Sequence, residues 1–117
     1  MTAPVAPDVA VVVLSTVPDE AASERISRAL VEERLAACVS RVPGVGSIFR
    51  WQGAIDQAEE ILLVIKTHAR RAPQVTQRLR ELHPYEVPEI LVIPVAAGLG
   101  AYLDWIRRET QPEGEEA

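Results

Sequence analysis

The sequence of 117 residues predicts an α+β sandwich in the order βαββαβ, with one more helix near the C-terminal end. Three observations predict it. Aliphatic, β-branched runs around 9–14, 60–67 and 90–95 have the length and composition of buried strands. The stretches 18–37 and 73–82 between them place apolar side chains at helical spacing. A short connection around Gly53 joins the second strand to the third, which makes that pair antiparallel.

Composition narrows the class further. The chain is 48% hydrophobic with one Phe, two Trp and two Tyr, so its core must be aliphatic and closely interdigitated. A single domain accommodates this length. The net charge is −5, but Glu113, Glu115 and Glu116 supply three of the seventeen acids, leaving the rest close to neutral. No basic run of the kind that tracks nucleic acid or a membrane surface occurs. The one cysteine, Cys38, has no disulfide partner in the chain, and the first residues lack the basic and apolar regions of a secretion signal. A reducing, cytoplasmic location is expected. The longest apolar runs are too short to cross a bilayer, so neither a membrane span nor a membrane partner is expected.

Taken in order, residues 1–7 and the acidic tail 111–117 read as disordered ends that pack little, with the domain at 8–110. The strand at 9–14 stops at Ser15-Thr16. Pro18 and Asp19 suit the first turn of a helix whose inner face carries Ala22, Ile26, Ala29, Leu30 and Ala37. A strand returns at 38–42, Pro43-Gly44 breaks or bulges it, and 47–52 continues with alternating faces. Residues 53–57 read as the turn, and 60–67 as the third strand. Pro73 opens the second helix, with Val75, Leu79 and Leu82 on one side, ending at His83-Pro84. The fourth strand, 90–95, contains Pro94, which removes a ladder donor and favours an edge. Tyr102 to Ile106 forms the last helix.

This order fits a ferredoxin-like sandwich, two right-handed crossovers sharing one sheet with both helices on one face. The runs 11–16 and 62–67 each close on threonine before a helix. As central parallel neighbours they would set Thr16 and Thr67 side by side, either as helix-start hydroxyls or as a shared anion or polar-ligand site.

The chemistry concentrates in His83-Pro84-Tyr85-Glu86-Val87-Pro88-Glu89, where two prolines hold a stiff connector. His83 with Glu86 and Glu89 could offer a nitrogen and two oxygens to a divalent metal, with Cys38 as a soft ligand suited to copper. The plainer readings are a helix-end imidazole on the last carbonyls for His83 and a small buried hydrophobe for Cys38. Lys66, closing an aliphatic strand, either pairs with Glu60 or Glu86 or lines a pocket beside Trp51 and Tyr85. There is no phosphate-cradling glycine loop, zinc-finger spacing, His-Glu-x-x-His or nucleophile elbow, and the chain is not read as an enzyme.

Together, Ala36-Ala37-Cys38-Val39, Pro43-Gly44, Ser47-Ile48-Phe49-Arg50-Trp51-Gln52-Gly53, Ile65-Lys66-Thr67, His83 through Ile90, and Tyr102-Leu103 with Trp105 resemble the CutA family, the divalent-cation tolerance proteins. The resemblance runs in order over residues 8–110. It implies a ferredoxin-like protomer, a homotrimer with sheets continued between subunits, and an association with copper and other divalent cations, with no cofactor required for folding. It also implies that Cys38, Trp51, Glu60, Lys66, Tyr85 and Glu86 cluster near a subunit interface and that His83 matches a proposed copper position. Copper-binding relatives can carry Cys where this chain has Ser15 and a second His where it has Leu82, so His83 alone survives of that set. A weak metal site of His83, Glu86 and Cys38, or none, is therefore the expectation. The alternative is a small-ligand sensor or signalling trimer, similar in architecture to the PII proteins, using the cleft between subunits.

Overall fold

The computed structural model describes residues 8–112. Its elements follow the expected order: β1 (Ala10–Val17), α1 (Glu20–Glu32), β2 (Cys38–Trp51), β3 (Ala54–His68), α2 (Ala72–Leu82), β4 (Leu91–Pro94) and α3 (Gly100–Glu109). The four strands make one antiparallel sheet in the order β2-β3-β1-β4, the ferredoxin-like arrangement. Residues 1–7 and 113–117, read from sequence as loose ends, lie outside the described residues. Gln111, counted with the tail, is held: Arg34 Nε donates to its carbonyl at 3.0 Å.

Local chemistry explains the boundaries. Asp19 caps α1 by accepting from the Ala22 amide at 2.8 Å, and Glu20 favours the positive end of the helix. The helix ends at Glu32, and Arg34, at φ 59°, turns the chain away, so Ala37 lies beyond the helix whose spacing it shares. Pro43-Gly44 bulges β2 between Val42 and Val45, with Gly44 at φ 71°. The turn between β2 and β3 is tighter than the expected 53–57. Only Gln52 and Gly53 form it, both at positive φ, and Trp51 already pairs with Ala54. Two positive φ values match the right-handed twist of the flanking strands, so the ladder runs to the tip.

The two apolar runs are neighbours, but antiparallel and not parallel: Val11 pairs with Thr67, and Thr16 with Leu62. Thr16 and Thr67 therefore sit about 17 Å apart along the strands and share no ligand site. Each crossover helix returns the chain parallel to the strand it left with one strand between them: β3 lies between β1 and β2, and β1 lies between β3 and β4. An apolar run reports burial and carries no direction. Thr67 instead donates from Oγ1 to the Leu35 carbonyl at 2.8 Å.

Val11, Val13, Val17, Ile61, Leu63 and Ile65 form the sheet side of the core, against Ala22, Ile26 and Leu30 of α1 and Val75 and Leu79 of α2. The alternate residues Val12, Leu14, Leu62 and Val64 face away from α1 and α2 and stay half-buried. β4 pairs only with β1, as Pro94 led one to expect, and Leu91, Val92 and Ile93 along it are exposed. The hairpin adds Ile48, 75% exposed, and Ile55, 63% exposed.

Candidate functional site

The connector after α2 is fastened to the sheet through its polar side chains. His83 caps α2 in extended backbone, at φ −77° and ψ 134°, as the residue before a proline prefers. Its Nε2–H donates to the Thr16 carbonyl at the end of β1, at 2.8 Å, and its Nδ1 accepts from the Tyr85 amide at 3.1 Å. Both ring nitrogens are thereby used, in a residue only 8% exposed. Burial pulls the imidazole below its ordinary pKa, against the Thr16 carbonyl and Glu60, which pull it up.

Tyr85 continues the network. Its ring lies 4.9 Å from that of His83, centre to centre, and its hydroxyl donates to Glu60 Oε2 at 2.7 Å. Glu60, in β3, is 7% exposed. Burial and the neighbouring Glu60 carboxylate push the phenol up to about 12. The chain of contacts Thr16–His83–Tyr85–Glu60 thus stitches the connector across both central strands.

The remaining sequence-predicted residues do not join it. Glu86 is exposed and lines an open groove of about 630 Å³ with Pro73, Thr76, Arg80 and Glu81 of α2. Glu89 is exposed as well. Cys38 stands opposite Lys66 in the β2–β3 ladder, with Lys66 Nζ 3.7 Å from its Sγ and hydrogen-bonded to Ser40 Oγ. Lys66 thus takes hydroxyl and thiol neighbours where a Glu60 or Glu86 carboxylate was expected. Six residues of strand, about 20 Å, separate it from Glu60. Trp51 is at the hairpin tip, twelve residues of β3 from the level of Lys66, or about 40 Å. A single chain therefore joins Tyr85 to Glu60 and leaves Trp51, Lys66 and Glu86 apart. Among the described residues no three His, Cys, Asp or Glu side chains converge as metal ligands.

Ser15 is fully buried on the helix side of β1, with its hydroxyl unpartnered among the described residues. It faces away from Cys38, which lies on the opposite sheet surface. Sequence reasoning overlooked Ser40, although it shares a face with Cys38 two residues earlier. It also overlooked His68, the other histidine of the chain, which closes the β3 run. The Thr16 carbonyl carried no signal, since any residue has one.

Residues 11–109 match the family model described as CutA1 divalent ion tolerance protein. Over 99 residues the chain is 52% identical to the divalent-cation tolerance protein CutA of Thermus thermophilus, covering 85% of this chain and 96% of that one. It is 44% identical to human Protein CutA over 82% of this chain, and spans 54% of that longer relative. The crystal structure of CutA from Xylella fastidiosa superposes with a TM-score of 0.86 at 47% identity, covering 87% of this chain and 98% of that one. The fold and these matches lead to one assignment: the chain belongs to the CutA1 divalent ion tolerance family.

Proposed function

We propose that this chain serves divalent-cation tolerance in the cytoplasm as a homotrimer, with no chemical step of its own. The observation that carries the reading is the match of residues 11–109, nearly the whole described domain, to the divalent ion tolerance family. The trimer is supported by the surface: half-buried Val12, Leu14, Leu62 and Val64, exposed Leu91 and Ile93, and a hairpin bearing Ile48 and Ile55 are apolar area that a second and third chain would cover. Trp51 is too far from Lys66 to line one cleft within a chain, so a pocket of Trp51, Glu60, Lys66, Tyr85 and Glu86 takes its walls from two subunits. Any divalent ion, copper included, is held weakly by donors among His83, Glu86 and Cys38. To coordinate, His83 must release either the Thr16 carbonyl or the Tyr85 amide.

Calorimetric titration of wild type and His83→Ala with copper tests the metal assignment. Weak binding that is lost in the variant supports it. Binding unchanged by the substitution removes His83 as a ligand.

A further inference from the structure

The end of the sheet opposite the hairpin tip holds a second buried histidine, which the connector network does not use. His68, the last residue of β3, is 4% exposed. Its Nδ1 lies 2.6 Å from Thr110 Oγ1, and that hydroxyl donates to the Ile106 carbonyl at 2.7 Å. A hydroxyl has one proton, so Nδ1–H is the donor to Thr110, and Nε2 remains as a bare acceptor. Among the described residues the His68 side chain makes no other hydrogen bond. Thr110 is itself clamped, because Arg71 Nε donates to its carbonyl at 2.8 Å, and Arg34 holds the next carbonyl, that of Gln111.

His68 forms a wall of two adjoining cavities. The smaller, of about 130 Å³, is also lined by Asp8, Arg70, Arg107, Gln111 and Pro112. The larger, of about 290 Å³, shares Asp8, His68 and Arg107 and continues past Ala97 and Leu103. The charged groups around the imidazole come from every neighbouring element. They are Asp8 before β1, Arg70 and Arg71 in the turn into α2, and Asp104 and Arg107 on α3. Among the described residues the only ion pair of Arg107 is with the exposed Asp104, at a loose 3.8 Å.

We propose that the smaller cavity is a site for one small oxyanion group, a carboxylate, sulfate or phosphate, held by Arg107 and by His68 donating from a protonated Nε2. The size suits it: 130 Å³ is about four water molecules at ~30 Å³ each, enough for an oxyanion and too little for a nucleotide. The electrostatics agree, since burial first and then Arg70, Arg71 and Arg107 hold the imidazole below its ordinary pKa, with Asp8 opposing. An arriving anion offsets that positive field, so binding takes up a proton on His68 and strengthens as pH falls. The same chemistry exists within the chain, because Glu113, Glu115 and Glu116 follow directly on Pro112, which lines the cavity. The site is independent of the metal reading.

The test is calorimetry with inorganic sulfate, whose charge is constant across the range, at about pH 5.5 and about pH 7.5. The proteins are the full chain and a Glu113→Gln/Glu115→Gln/Glu116→Gln variant. The variant should bind sulfate saturably, several-fold more tightly at the lower pH. Arg107→Ala, at a half-buried position on α3, should weaken it about tenfold, the loss of one charge-assisted contact. His68→Gln should remove the pH dependence. Equal affinity in wild type and the triple variant assigns the site to a free anion, and weaker binding in wild type makes the acidic tail its internal occupant. Absence of saturable binding in the triple variant, or binding indifferent to Arg107→Ala, overturns the proposal.

Discussion

Tyr85 donates its phenolic proton to Glu60 across 2.7 Å, and through that contact the connector between α2 and β4 is tied to the middle of β3. The carboxylate it meets is almost fully buried. A buried carboxylate without partners is costly, so the phenol acts here chiefly as the group that satisfies Glu60. His83 does the same for the end of β1. The two prolines set the backbone so that both side chains point at the sheet.

Tyr85→Phe keeps the ring on His83 and removes only the hydroxyl. The expected cost is about 1–3 kcal/mol, because Glu60 is left buried with an unmet acceptor. Urea unfolding measures it. A Tyr85→Phe/Glu60→Leu double variant should recover part of the loss, since an apolar pair leaves nothing unsatisfied. A single variant as stable as wild type would mean that water serves Glu60 equally well.

The phenol should titrate late. In a Tyr102→Phe background, ultraviolet titration follows Tyr85 alone, and its midpoint is expected at about 12 against the usual 10.0. The folded value is raised, so this group's contribution to stability is complete below pH 10.0 and is lost as pH climbs through about 12. A midpoint at the ordinary value contradicts the buried hydrogen bond to Glu60.

Acid should weaken the fold through its histidines. Burial is the first cause that lowers both His68 and His83 below the ordinary 6.5. The unfolded chain therefore takes up protons at a pH where the folded chain does not. Stability is whole above 6.5 and declines as pH falls from there toward the depressed folded values. Thermal melts between about pH 7.5 and pH 5 measure the slope. His83→Gln, whose amide nitrogen can still donate to Thr16, should flatten it. An unchanged slope assigns the acid limb to other groups.

The hairpin turn offers a simpler case. Gly53 sits at φ +81°, and a Cβ there would meet nothing within 4 Å. Gly53→Ala should therefore cost only the left-handed penalty, about 1 kcal/mol, and Gly53→Asn less. Denaturant midpoints decide it; a much larger loss would show that the tip packs against something.

Element order, the bulge at Pro43-Gly44 and the edge position of β4 were legible because each rests on local chemistry: apolar runs, a fixed φ, a missing amide. Strand direction was not, since Val11 and Leu63 look alike in a parallel or an antiparallel sheet. The site divides in the same way. His83 and Tyr85 stood out as polar groups on a stiff connector, but their partners are a backbone carbonyl and a carboxylate 25 residues away. Lys66 was read toward Glu60 because even spacing puts them on one face. Strand length, at about 3.4 Å per residue, keeps them apart.

The exposed apolar surface leads to the last prediction. Ile93 is 44% exposed on β4, opposite Val12, beside a sheet face that neither α1 nor α2 covers. Nothing in the monomer needs its side chain, so Ile93→Lys should leave the fold of an isolated chain intact. In a trimer built on sheet continuation, the same lysine would be buried at a subunit boundary, where an unpaired ammonium costs several kcal/mol in each interface. Light scattering of wild type should report three chains, and of Ile93→Lys a smaller species that unfolds at lower temperature. If wild type is a monomer at micromolar concentration, the assembly fails, and with it the pocket that needs Trp51 from a second subunit. If wild type is a trimer and Ile93→Lys remains one, the interface lies on the hairpin side, and Ile48→Lys becomes the substitution that should split it.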